Sequence, residues 1–126
     1  MHCHSLLAAV HLSDVIAENQ GNFTAWPGTH LVNSRHYREH GMTGFSHGYS
    51  QTTDSWREQI LCRRGDVTLI HYLTGHHPAP NLSPNIRYTV LFRMSTIGLD
   101  ERRDSSVRDL WSEWDGLLSR RPAPAR

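Results

Sequence analysis

The feature that most constrains the fold is a pair of β-prone runs separated by a segment with three prolines. Residues 67–73 and 86–94 are rich in β-branched and aromatic side chains, which favour strands. Pro78, Pro80 and Pro84 stand between them. Because proline lacks a backbone N–H, no regular helix or central strand is expected to run through this segment. The pattern predicts two strands joined by a turn-rich connection.

The rest of the chain predicts a mainly β domain. Short apolar or alternating runs predict strands at 6–12, 23–26 and 58–62. Thr29 is expected to cap a short helix over residues 30–39, and the Gly, Ser, Thr and His-rich residues 41–54 predict a long surface loop. With no alternation of strands and helices, a barrel or jelly roll is favoured over βαβ units.

The C-terminal region predicts an amphipathic helix that packs on the sheet. Ser105 or Ser106 is expected to cap it. Its apolar residues follow helical spacing and are Val107, Leu110, Trp111, Trp114, Leu117 and Leu118. We therefore expect one domain over residues 1–121, followed by a disordered tail at 122–126.

Composition limits the class of protein. The net charge of +1 argues against nucleic acid as a partner, and no apolar run is long enough to predict a membrane span. Cys3 and Cys62 are too few for a disulfide framework, which favours a reducing, cytoplasmic location. The ten histidines are an unusually high number for 126 residues.

Two residues around the proline-rich connection suggest a metal-dependent site. His76 precedes Arg87 by eleven residues, so the two side chains could face one pocket. A neutral imidazole is a good metal ligand, and a guanidinium binds a carboxylate through two hydrogen bonds. His77 is an alternative to His76, and Arg87 could instead form an ordinary surface ion pair.

Three segments together resemble the phytanoyl-CoA dioxygenase-like family of iron(II)/2-oxoglutarate oxygenases. They are LSDVIAENQGNFTAWPGTH at 12–30, RGDVTLIHYLTGHHPAPNLSPNIRYTVLFR at 64–93 and RDLWSEWDGLL at 108–118. The resemblance implies a double-stranded β-helix, a form of jelly roll, with iron held by two histidines and one carboxylate. It places one metal-ligating histidine at His76 and the 2-oxoglutarate anchor at Arg87. The implied reaction is hydroxylation of a C–H bond in a small organic substrate.

The resemblance also places the other two metal ligands, an H-x-D pair, before Met1. No H-x-D or H-x-E occurs in the first eleven residues. The chain therefore resembles the C-terminal part of such an oxygenase, and we expect weak iron binding and no turnover by this chain. A partial jelly roll should also expose sheet edges, so we expect self-association or binding to a partner there.

Two other functions remain open from the residues. A non-catalytic β-barrel module could bind a small molecule without metal chemistry. Alternatively, His2, His4 and His76 could form a three-histidine metal site, because residues two apart on a strand share a face.

Several other polar or aromatic residues are expected to be structural. Trp26 and His71 are predicted to line the core or pocket wall, Asn81 to stabilise a turn and Asp14 to close one. The sequence Arg64-Gly65-Asp66 is predicted to be a turn before a strand.

Overall fold

Two three-stranded antiparallel sheets make up most of the fold. The structure is a computed structural model that describes residues 4–41, 43, 57–114 and 116. The strands are β1 Leu6–His11, β2 Phe23–Ala25, β3 Glu58–Gln59, β4 Val67–His71, β5 His76–Pro78 and β6 Thr89–Met94. The first sheet has the order β4-β1-β6 and the second β3-β2-β5. The mainly β class is confirmed, and the described residues form no closed barrel.

The two sheets pack through one small apolar core. Leu7 and Ala9 lie on one face of β1, and they pack with Ile70 of β4 and Phe23 of β2. Leu7 is only 2% exposed, so its burial contributes about 1.5–3 kcal/mol. Because side chains alternate along a strand, odd-numbered residues of β1 face the second sheet.

The opposite face of the first sheet is largely uncovered. Leu69 of β4 is 63% exposed and Phe92 of β6 is 51% exposed. Both lie directly opposite Ala8 on the central strand. This outer face therefore presents a continuous apolar surface to solvent.

A second core forms between the helices and the segment after β4. Helix α1 (Thr29–His40) packs against α2 (Arg103–Arg108), which a 3-10 helix at Leu99–Arg102 precedes. The buried residues of this core are Tyr37, Leu73, Val107 and Leu110. No described helix has the length and apolarity to cross a membrane.

The predicted C-terminal helix is wrong in its bounds and its packing. Helix α2 begins at Arg103 and ends at Arg108, and it packs on α1 rather than on the sheet. The backbone of Asp109 is extended (φ −112, ψ 102), and its carboxylate accepts the backbone N–H of Trp111 at 3.3 Å. That local hydrogen bond competes with helix continuation. Leu117, Leu118 and the predicted tail at 122–126 lie outside the described residues.

Several other predicted bounds also differ from the structure. The proline-rich connection contains the strand β5, which pairs with β2. The run at 58–62 forms a two-residue strand, and Cys62 makes only an isolated bridge to Val15. The residue capping α1 is Gly28, which has a φ of 83°, rather than Thr29. Most of the predicted loop at 41–54 lies outside the described residues.

Candidate functional site

Strand alternation turns the adjacent histidines of β5 in opposite directions. His76 lies opposite Ala25, which packs against the inter-sheet core, whereas His77 lies opposite Thr24. The His76 ring stacks on Phe23, with ring centroids 5.4 Å apart and an interplanar angle of 10°. His77 contacts Trp26 instead, at a centroid distance of 4.8 Å. Only His76 therefore faces the space between the sheets.

The hydrogen bond of the His76 ring leaves one nitrogen suited to a metal. Nδ1 lies 2.9 Å from the backbone carbonyl oxygen of Thr74. Because a carbonyl only accepts hydrogen bonds, Nδ1 carries a proton, and in the neutral ring Nε2 then has the lone pair. A backbone carbonyl bonded to the remote nitrogen is a common arrangement for metal-bound histidine, since it fixes tautomer and ring orientation.

The residue before His76 is held from both sides. The Gly75 backbone N–H donates to Thr29 Oγ1 at 2.8 Å, and the Gly75 carbonyl accepts the Trp26 N–H at 3.0 Å. The Thr29 hydroxyl in turn donates to the carbonyl of Trp26 at 2.7 Å. Thr29 therefore fixes the start of β5, a role that its sequence position did not reveal.

Arg87 lies at the other end of β2 from His76. A Cβ placed on Gly21 would lie 3.5 Å from both Cβ and Nε of Arg87, so the arginine stem packs over this glycine. Gly21 and Ala25, which pairs with His76, are four residues apart, or about 13 Å along an extended chain. His76 and Arg87 therefore do not contact each other, and a ligand would have to bridge them.

The Arg87 guanidinium has a hydroxyl partner but no acidic one. Its Nη1 donates to Thr89 Oγ1 at 3.0 Å, and no carboxylate of the described residues forms an ion pair with it. Arg102, by contrast, pairs with Glu113 at 3.2 Å. The surface ion pair considered for Arg87 is thus not observed, and the group can accept an anionic ligand.

The described residues do not assemble a complete metal site. Among these residues, no three His, Cys, Asp or Glu side chains are placed so that they could hold a metal ion together. His4 has a buried Nε2 without a hydrogen-bond partner, and His2 lies outside the described residues. Neither the three-histidine site nor a triad including His76 is formed by the part of the chain that the structure describes.

The residues predicted to be structural are found in structural roles. Trp26 is buried, and Asn81 donates to the Asn85 carbonyl at 2.7 Å across its turn. The Asp14 carboxylate accepts the Arg64 N–H at 2.7 Å. His71 packs beside Trp111 and uses both ring nitrogens in hydrogen bonds.

Sequence reasoning missed His11, the last residue of β1. It is fully buried, and its Nε2 lies 2.9 Å from Thr68 Oγ1. The available signal was its odd-numbered position, which it shares with Leu7 and Ala9 on the inner face of the strand.

A protein-family model matches most of this chain. The model for phytanoyl-CoA dioxygenase (PhyH) matches residues 2–89, more than two thirds of the chain. The chain belongs to the phytanoyl-CoA dioxygenase family. The PhyH match includes both His76 and Arg87. No curated protein matches the chain at a significant level.

The His71 environment predicts that this PhyH-family chain loses stability in acid. The pKa of His71 is lowered to about 4, mainly by burial. The hydrogen bond to the Leu110 carbonyl raises this pKa, and nearby His30 and His4 lower it. In the unfolded chain His71 therefore binds a proton near pH 6.5, whereas in the folded chain it binds one only near pH 4. Stability is lost as pH falls through that window, by at most about 2 kcal/mol between pH 6.5 and 5.

Urea unfolding of the wild type and His71→Gln at about pH 7.5 and 5 measures this effect. Glutamine retains a donor for the Leu110 carbonyl but does not titrate, so the variant should lose less stability on acidification. Burial also lowers the pKa of His4, His11 and His30, so some pH dependence should remain. Equal losses in both proteins would contradict the assignment to His71.

Proposed function

We propose that the chain is part of an iron(II)/2-oxoglutarate oxygenase, with His76 as one iron ligand and Arg87 as the 2-oxoglutarate anchor. The observation that supports this most is the guanidinium of Arg87, which is positioned by Thr89 and Gly21 and has no acidic partner among the described residues. The Nε2 of His76, which faces the inter-sheet space, supports the assignment of His76 as an iron ligand. Membership of the PhyH family makes oxygenase chemistry the function to test first.

In this proposal each residue has a defined task. Arg87 binds the distal carboxylate of 2-oxoglutarate through paired hydrogen bonds, which leaves the 2-oxo-acid end directed along β2 toward His76. His76 offers Nε2 to the metal, and the Thr74 carbonyl holds its proton on Nδ1. Bound iron would supply oxygen activation coupled to oxidation of 2-oxoglutarate, which in the family ends in hydroxylation of a small organic substrate.

The metal-ligating side chains in this chain supply only part of an iron ligand set. One imidazole is present, but the 126 residues contain no H-x-D or H-x-E sequence. The described residues form six strands in two sheets, whereas a jelly roll has eight. We infer that these 126 residues hold only part of the family's iron ligand set, so that the polypeptide binds iron weakly and turns over nothing on its own.

Binding of 2-oxoglutarate in the absence of metal tests the anchor. We expect Arg87→Met to weaken binding at least about tenfold, because a charge-assisted hydrogen bond contributes about 1.5–3 kcal/mol. Arg93→Met, which removes an exposed arginine six residues further along, is the matched control and should bind as the wild type. Isothermal titration calorimetry measures all three.

Two outcomes of that titration would contradict the proposal. Equal losses in both variants would show that only overall positive charge matters. No 2-oxoglutarate binding by the wild type, with another small molecule bound instead, would favour the non-catalytic binding module.

We further propose that two copies of the chain associate through β6. The Leu12 N–H donates to the Tyr88 carbonyl at 2.9 Å. Along β6 the backbone N–H and C=O groups of even-numbered residues therefore point toward β1, and those of odd-numbered residues point away from it. In the described part of the chain, β6 is the edge of its sheet. A two-fold axis at Leu91 would pair Thr89 of one copy with Arg93 of the other and use all the outward groups.

Sedimentation velocity over a range of concentrations measures this association. Leu91→Pro removes an outward N–H without removing a bond to β1, so it should shift the equilibrium at least about tenfold toward monomer. Leu69→Pro is the control, because Leu69 holds the equivalent outward position on β4, the other edge of the sheet. A greater effect of Leu69→Pro, or a wild type that stays monomeric, would overturn the β6 interface.

A further inference from the structure

His11 has a buried ring nitrogen that nothing in the described part of the chain satisfies. Its Nδ1 has no hydrogen-bond partner, whereas Nε2 is bonded to the Thr68 hydroxyl. Leaving a buried polar atom unpaired costs about 1–3 kcal/mol, so native proteins seldom do so without a reason. The ring is held in place by Thr68 while its second nitrogen stays available.

The position of His11 places it beside the proposed anchor. His11 lies directly opposite Thr89 in the β1–β6 ladder, and Thr89 Oγ1 accepts the hydrogen bond from Arg87. The adjacent Leu12–Tyr88 pair is hydrogen-bonded, so His11 and Thr89 form the alternate, non-hydrogen-bonded type of pair. Side chains approach most closely in such pairs, with Cα atoms about 4.5 Å apart.

Charge around His11 favours a neutral ring with an anion nearby. Burial lowers the pKa of His11, and the Arg87 charge lowers it further, while Asp66 raises it. A neutral ring that accepts the Thr68 hydroxyl proton at Nε2 must carry its own proton on Nδ1. When the Thr68 hydroxyl donates to Nε2, the neighbourhood therefore has a cation and a spare N–H donor on Nδ1, and no carboxylate of the described residues is hydrogen-bonded to either.

We propose that His11 is a second binding residue of the carboxylate subsite, donating from Nδ1 to the dicarboxylate that Arg87 anchors. The inference rests on the proposed function, because it assumes that Arg87 binds the distal carboxylate of 2-oxoglutarate. Arg87 supplies the charge, and His11 supplies a fixed donor from the neighbouring strand. The His11 donor on β1 would approach the carboxylate from a second direction and add a hydrogen bond to the pair that Arg87 supplies.

Two variants of His11 test the hydrogen bonds of the two ring nitrogens separately. In His11→Asn the amide nitrogen can replace Nδ1, whereas in His11→Gln it can replace Nε2 and keep the contact with Thr68. Binding of 2-oxoglutarate, measured by calorimetry without metal, should weaken about tenfold in His11→Gln and much less in His11→Asn. The urea midpoint should rank the other way, because only glutamine keeps the Thr68 bond. A purely structural role predicts instead that affinity follows stability.

The outcomes also separate this inference from the proposed function. If the wild type binds, Arg87→Met fails to bind and both His11 variants bind normally, then Arg87 is the anchor and the role of His11 is refuted. If the wild type does not bind 2-oxoglutarate, the proposed function itself fails. Should either variant not fold, the wild-type His11 Nδ1 resonance still decides: titration with 2-oxoglutarate should shift it, and no shift would overturn the inference.

Discussion

The packing of Phe23 against Leu7 and Ala9 joins the two sheets, and it also determines where the candidate site lies. Phe23 is buried on β2, and its ring stacks on His76 of the neighbouring strand. The same contact therefore holds the sheets together and orients the proposed ligand. Because the inner residues of β1 include Ala9, whose side chain is small, Phe23 can approach the first sheet closely.

The polar residues of the site are arranged around this core rather than within it. His76 lies toward one end of β2, while Arg87, Thr89 and His11 lie toward the other. His76 is held by a backbone carbonyl, and Arg87 and His11 are each held by a threonine hydroxyl. Because no carboxylate of the described residues pairs with Arg87, an arginine held in this way would keep its affinity for an anion.

Sequence patterns predicted the strands that carry strong β propensity and alternation. The runs that form β1, β4 and β6 were located to within a few residues, since each combines apolar periodicity with clear turn signals. Strand β5 was missed because it is only three residues long, ends in Pro78 and gains its stability from pairing with β2. Tertiary contact, not local propensity, makes it a strand.

The residues of the candidate site were also only partly predictable from the sequence. His76 and Arg87 were selected from their residue types, spacing and family resemblance, which also favoured His76 over His77; the register with Ala25 adds that His76 is the one of the two that faces the space between the sheets. His11 gave almost no signal, since one histidine in an apolar strand has the same appearance whether it fills a core or binds a ligand. Its unpaired nitrogen is visible only when the neighbouring strands are in place.

We propose that this chain holds the co-substrate anchor and a single iron ligand. Anaerobic equilibrium dialysis against iron(II), with 2-oxoglutarate present, tests it most directly in the wild type and His76→Ala. Because one imidazole and a chelating co-substrate cannot replace a three-residue ligand set, well under one equivalent of iron should remain bound. One tightly held equivalent of iron that His76→Ala loses would show that the chain completes an iron site by itself and would contradict this proposal.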